Sequence, residues 1–298
     1  MQQTSQQNDW LVQPFGGRAE VKSVDNQLIL SNGLISRTFV ISPNFATIDY
    51  TNQVTDASIL RGVKPEATLT IDGEQFELGG LKGQPDYAYL DSSWIKELTS
   101  APNAFQFRDY SAGVIEERYP WTPRRNASST QWPPKGVKLT ISFEPPPQMK
   151  DVRVFVNYEI YDGIPVLSKW IEIHNEGERE ITIESLACEI LAVNEQEKHR
   201  LHVESDYAFS GMNTTHWGPD PDYKTQIDYH YQMPLLMTSQ YPLGPGVALK
   251  PGDTFESFRT FELIHDSDDR ERRGLARRKI YRTLAPQDTG RLLGREHG

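Results

Sequence analysis

The stretch from Asp151 to Val193 constrains the fold more than any other part of the chain. Val152, Val154, Val156, Tyr158 and Ile160 alternate with Arg153, Asn157 and Glu159, the period-two pattern of a strand with one buried face. Asp162-Gly163-Ile164-Pro165 supplies a turn, and the run from Val166 to His174 puts Leu167, Ile171 and Ile173 on one face. Asn175-Glu176-Gly177 closes that run with residues that tolerate positive φ. In the third run the apolar phase slips from Ile181 and Ile183 to Leu186, Cys188 and Ile190, which predicts a β-bulge near Ser185. The three runs read as consecutive antiparallel strands.

Similar signals recur along the chain and predict an all-β fold, a large antiparallel sandwich with a C-terminal helix. Leu28 to Ile41 reads as two strands around a tight Asn32-Gly33 turn, and Ala67 to Ile71 and Gln75 to Leu78 flank Asp72-Gly73. Phe105 to Phe107, Val137 to Phe143, and Val247 to Phe261 through Pro251-Gly252 continue the pattern. Tyr119 to Pro134 holds too many prolines and small polar residues for a ladder and is expected to be a surface loop. Gly211 to Tyr231 is expected to begin as a polar, aromatic-rich loop and end in a strand. From His265 to Leu284, Ser267 precedes Asp268, Asp269 and Glu271, with Arg and Lys following among Leu275, Ile280 and Leu284. That charge order predicts a helix, which Pro286 stops. The expected division is therefore a sandwich over 1–264 and a linker helix and tail over 265–298.

A net charge of −10 argues against a nucleic-acid or anionic-membrane partner, because such binding needs clustered Lys and Arg. A neutral sugar is indifferent to it. Cys188 is the sole cysteine, which excludes an internal disulfide and a cysteine-based zinc cluster; in its apolar run it reads as a small buried hydrophobe. No run of about 18 apolar residues occurs, so nothing predicts a spanning helix. The opening MQQTSQQNDW has neither a basic nor an apolar signal region and reads as the start of a mature or trimmed chain; a periplasmic or secreted location is the expectation if a signal was removed.

Motifs for zinc (HExxH), nucleotide phosphates (Walker loop), a nucleophile elbow (GxSxG) and a dinucleotide (GxGxxG) are missing, and no cofactor or metal is expected. The candidate carbohydrate site is His216, Trp217, Asp220, Asp222, Tyr223, Tyr229, His230 and Tyr231, because aromatic faces stack on sugar C–H surfaces while carboxylates take hydroxyls. The plainer alternative has Tyr229 and Tyr231 inward and Trp217 plugging the sandwich edge. Asp220, Asp222 and Asp228 lack the spacing of an EF-hand loop. Trp121, Arg124, Arg125 and Trp132 form a candidate contact loop, since aromatics and Arg are enriched at interface hot spots. His174 is either a general base or a solvated strand-end residue.

Three segments, NYEIYDGIPVLSKWIEIHNEGE at 157–178, NGLISRTF at 32–39 and DRERRGLARRKIYRTLAP at 269–286, resemble the N-terminal domain of α-galactosidase-like enzymes of glycoside hydrolase family 36. The resemblance implies a β-supersandwich related in fold to galactose mutarotase, followed in the family by a (β/α)8 barrel that holds both catalytic carboxylates. Neither carboxylate position falls within these residues, so the resemblance gives no catalytic residue. What it implies is a noncatalytic accessory domain that supports or borders a sugar site, with carbohydrate and a barrel or a second copy of itself as partners. Leu275, Ile280, Tyr281 and Leu284 would then form a docking patch. Two rivals are an aldose epimerase using a His and a carboxylate in a groove, and a structural oligomerisation module.

Overall fold

The computed structural model describes residues 9–85, 89–121, 131–207, 213–222 and 234–284. Its first five strands are β1 (Glu20–Val24), β2 (Gln27–Ser31), β3 (Ile35–Val40), β4 (Ala46–Asn52) and β5 (Ala57–Ser58), and they form an antiparallel meander in that order. Next come β6 (Leu60–Gly62), β7 (Ala67–Ile71), β8 (Glu74–Leu78), β9 (Gln106–Val114), β10 (Gly136–Glu144), β11 (Val152–Tyr161) and β12 (Val166–Asn175). The remaining strands are β13 (Ile181–Val193), β14 (Leu201–Ser205), β15 (Thr215–Pro219), β16 (Leu235–Gln240), β17 (Val247–Leu249), β18 (Thr254–Glu256) and β19 (Thr260–Ile264), and α1 (Arg270–Leu284) closes the described chain.

The predicted turns take the backbone their residues favour. Asp72 and Gly73 sit at φ 50° and 80°, the left-handed pair of a two-residue hairpin. The Asn-Gly hairpin is displaced by one residue from the expected turn. Its loop is Gly33-Leu34, closed by the Asn32 N–H on the Ile35 carbonyl at 3.2 Å. Displacement frees the Asn32 amide for other work. Its oxygen accepts from the Leu34 and Ile35 N–H groups, and its nitrogen donates to the carbonyls of Tyr161 and Ile164, tying this loop to the β11–β12 turn.

Two seven-stranded antiparallel sheets follow the meander. One runs β14-β19-β12-β11-β10-β9 with β18 on β12; the other runs β15-β16-β13-β7-β8 with β6 and β17 on β13. β11 and β12 pair as the sequence predicts, from Val152↔Asn175 to Ile160↔Leu167. The third run does not join them. β13 crosses to the facing sheet, because Asn175 spends its side chain holding the crossing: it accepts from the Gly177 N–H and donates to the carbonyls of Arg179 and Leu249. From Leu186 to Val193 every residue of β13 is buried, as a strand packed on both faces must be. The bulge is where the phase slip puts it, between Ile183 and Ser185 against β7.

The main core lies between the sheets and takes Val154, Val156, Ile160, Ile171 and Ile173 from one side and Leu69, Ile183, Leu186, Cys188 and Leu191 from the other. Cys188 is buried, and its thiol is pushed up to about 12 by burial. A second cluster forms where α1 crosses the outer face of the β12–β19 sheet. Ala276 and Ile280 pack there on Trp10, Leu34, Ile115, Tyr161, Ile164, Val166 and Leu263. Asp269 caps the helix, accepting the Arg272 N–H at 2.7 Å, and Arg272 clamps Asp9 and Asp266.

Candidate functional site

Charged side chains lie on both faces of β12, because Lys169 and Trp170 are adjacent and therefore point opposite ways. Lys169 enters the core in phase with Leu167 and Ile171, and Arg37 from β3, Glu189 from β13 and Glu262 from β19 meet it there, all 1% exposed or less. The Arg37 guanidinium forks onto Glu189 at 2.7 and 3.2 Å and reaches Glu66 at 3.2 Å. Lys169 Nζ donates to Glu189 at 2.9 Å and to the Glu66 carbonyl at 2.6 Å, while the Tyr158 hydroxyl donates to Glu66. Two cations thus face three carboxyl groups. Burial and the adjacent Glu189 push Glu262 well above the ordinary range, so it keeps its proton. Burial alone would raise Glu189 too, but Arg37 and Lys169 outweigh it and hold Glu189 at about 2. The proton on Glu262 makes the charge count balance. A cluster so sealed is a scaffold.

Trp170 turns to the outer face and anchors a polar ladder across β10, β11 and β12. Thr140 donates to Asn157 at 2.7 Å, Asn157 donates to Glu172 at 2.9 Å, and the Trp170 indole N–H donates to the same Glu172 oxygen at 3.1 Å. The Arg259 guanidinium lies 3.6 Å from the Trp170 ring centroid, a cation–π contact, and pairs with Glu159 at 3.3 Å. Tyr161 also donates to Glu159, at 2.9 Å. Burial raises the Glu159 pKa despite Arg259. An outer sheet face usually meets water; here Glu159 and Trp170 are 3% and 1% exposed.

Beside this ladder the same face opens into a pocket of about 240 Å³. Val166, Phe261 and Leu263 give it an apolar floor, and α1 walls it with Arg277, Ile280, Tyr281 and Leu284. β14 contributes His202, Glu204 and Ser205 from the opposite side, with Arg118 and Tyr119 near them. Glu204 accepts from Tyr281 at 2.5 Å and bonds His202 Nε2 at 2.6 Å. Partial burial raises its pKa, but these two hydrogen bonds prevail and hold it below the ordinary carboxylate range. The Tyr281 phenol is pushed up to about 12 by burial and by Glu204.

Of the residues singled out from sequence, Ile280, Tyr281 and Leu284 line this pocket and the others lie elsewhere. His216 and Trp217 sit on β15, a strand where a loop was expected; this edge strand pairs only with β16. Both are exposed, Trp217 by 41%, so Trp217 does not plug the sandwich. Asp220 is buried and held by Arg61 at 2.6 Å and Lys64 at 2.7 Å, while the exposed Asp222 meets Lys64 through Oδ2 at 2.7 Å. Among the described residues no cluster fit for a metal occurs. Tyr223, Asp228, Tyr229, His230, Tyr231, Arg124 and Arg125 lie outside the described residues. Trp132 packs against Tyr119 with ring centroids 4.9 Å apart and planes tilted by 35°, and Trp121 is half-buried. His174 stands 3.7 Å from Glu172 and packs on Phe155.

In the expected docking patch, Leu275 and Tyr281 are exposed and Leu284 half-buried, but Ile280 is spent on the protein's own second core cluster. His202 and Glu204 were missed. Their signal was present: two polar residues two apart in a short strand share a face.

No protein-family model matches the chain, and no curated protein matches it. Solved structures do. The GH36 α-galactosidase AgaB from Geobacillus stearothermophilus aligns at 8% identity and TM-score 0.46, over 83% of this chain and 41% of its own. The galactosidase domain of the α-galactosidase-sucrose kinase AgaSK aligns at 11% identity and TM-score 0.46, over 83% and 42%. A putative aldose 1-epimerase from Escherichia coli K12 aligns at 8% identity and TM-score 0.34, over 84% and 99%. This chain spans about two-fifths of the length of the α-galactosidases it matches. The family that the sequence motifs resemble is thus also found among the structural neighbours.

Proposed function

We propose that the chain is a noncatalytic sandwich domain of a carbohydrate-active enzyme, whose outer β12–β19 face borders a sugar site. In this reading residues 1–264 are the sandwich, and 265–298 are a linker helix and tail leading to a (β/α)8 barrel. One observation carries it: the outer face is a hydrogen-bonded layer of aromatic, amide and charged groups that runs up to a pocket. Apolar floors with a few convergent polar groups suit small polyhydroxylated ligands. Hydrolysis with retention needs two carboxyl groups about 5 Å apart across one cleft. Among the described residues lining this pocket, Glu204 is the single carboxylate, and Glu159 is engaged by Arg259 and Tyr161.

The test is calorimetric titration of the full chain with galactose and galactosyl oligosaccharides, alongside exchange NMR on free galactose. The expected result is saturable binding with no hydrolysis and no faster anomer interconversion. Accelerated interconversion that disappears in His202→Ala would make the chain an epimerase. An absence of all saccharide binding, with a stable oligomer in solution, would leave a structural module.

A further inference from the structure

The pocket between α1 and β14 has features that specify its occupant more narrowly. Glu204 on one wall and Arg277 on the other carry opposite charge. Both hydrogen bonds to Glu204 end on Oε1, which leaves Oε2 as an acceptor. Arg277, across the pocket on α1, makes no hydrogen bond or ion pair, so its donors are unspent. A ligand with a single charge would be attracted by one of these groups and repelled by the other. A pair of neighbouring hydroxyls satisfies both, one donating to the carboxylate and the other accepting from the guanidinium. The floor of Phe261 and Leu263 offers an apolar surface to the C–H face of a ring. At about 240 Å³ the space falls below the roughly 300–1,000 Å³ of sites for drug-sized ligands, which limits the occupant to one ring.

We infer that this pocket binds a single neutral pyranose, gripping a vicinal diol between Glu204 and Arg277. The inference rests on the reading of the outer face as sugar-bordering and adds the position, size and charge of the ligand. His202 and Tyr281 act as positioning residues, since they hold the carboxylate ionised and fixed.

Titrations of the full chain with galactose, galacturonate and galactosamine test it, in the wild type and in Arg277→Met and Glu204→Gln. Galactose is expected to bind more tightly than either charged sugar, and each substitution to weaken it by roughly tenfold, the loss of one charge-assisted hydrogen bond. Arg277 is exposed and its side chain makes no hydrogen bond, so Arg277→Met is expected to stay close to the wild-type unfolding midpoint. If Glu204→Gln fails to fold, Arg277→Met together with shifts of the Tyr281 and His202 resonances on galactose addition decides the matter. Galactose binding unchanged in the variants, or tighter binding of galacturonate, would overturn the pocket while leaving the sugar-bordering face intact. A wild-type chain that binds no saccharide at all overturns both.

Discussion

Lys169 and Trp170 are neighbours in sequence, yet they belong to two charged assemblies built on different terms. On the inner face, Arg37 and Lys169 are matched in charge by Glu66 and Glu189, with the protonated Glu262 beside them, and all five are buried. On the outer face, the ladder around Trp170 ends beside a pocket where Glu204 and Arg277 each keep capacity in reserve. The same residue types thus give rigidity in one place and receptivity in the other. What separates them is whether the charges are matched within the protein and closed off from solvent.

Breaking the inner assembly is expected to cost the most. Lys169→Met removes one partner and leaves Glu66 and Glu189 short of a buried cation, a loss of about 3–5 kcal/mol in urea unfolding. A change below about 1 kcal/mol would mean that this cluster is no more closed than the outer one.

A pH series on Glu262→Gln comes next. Glu262 keeps its proton in the fold, so its contribution is full below its unfolded pKa and is lost as pH rises through the folded value. Glu189 works in the opposite sense: held at about 2 against an ordinary 4.5, it contributes above the ordinary value and loses that contribution as pH falls toward about 2. Wild-type stability should therefore decline on the alkaline side of the carboxylate range, and Glu262→Gln, which has no proton to lose, should show a flatter curve there. Parallel curves for the two proteins would remove the proton from the cluster.

The smallest effect is expected at the pocket. Tyr281→Phe deletes one of the two hydrogen bonds that depress Glu204, so the Glu204 pKa should rise in an NMR titration. Because Glu204 contributes stability above the ordinary carboxylate range and loses it as pH falls, the variant should also show a shallower acid limb. Its stability near neutral pH should stay within about 0.5 kcal/mol of wild type, as at other partly exposed positions. A larger loss would place Tyr281 in the scaffold.

Strands and turns were legible because period two and the Asp-Gly and Asn-Gly steps are local signals. The inner cluster was legible in part. Lys169 sits in phase with Leu167 and Ile171, and Arg37 in phase with Ile35 and Phe39, so the pattern placed charges inside, but nothing local says which anion meets which cation. The crossing of β13 was hidden, since a hairpin and a change of sheet can begin with the same Asn-Glu-Gly turn. The pocket was legible only in its α1 wall, Ile280, Tyr281 and Leu284. Its walls come from β14, β19, α1 and the residues around Arg118, and their meeting is set by topology alone.

The placing of β13 also dictates an order of assembly. Its thirteen residues hydrogen-bond on one side to β6 and β7, made well before it, and on the other to β16 and β17, made some forty residues and more after it. During synthesis one whole edge of this central strand stays open until residues 235–249 emerge. Such an edge is a template for any other strand. Nascent chains that stall before β16 would therefore present their central strand to each other, which makes the interval between residues 193 and 235 the vulnerable stage in this protein's production.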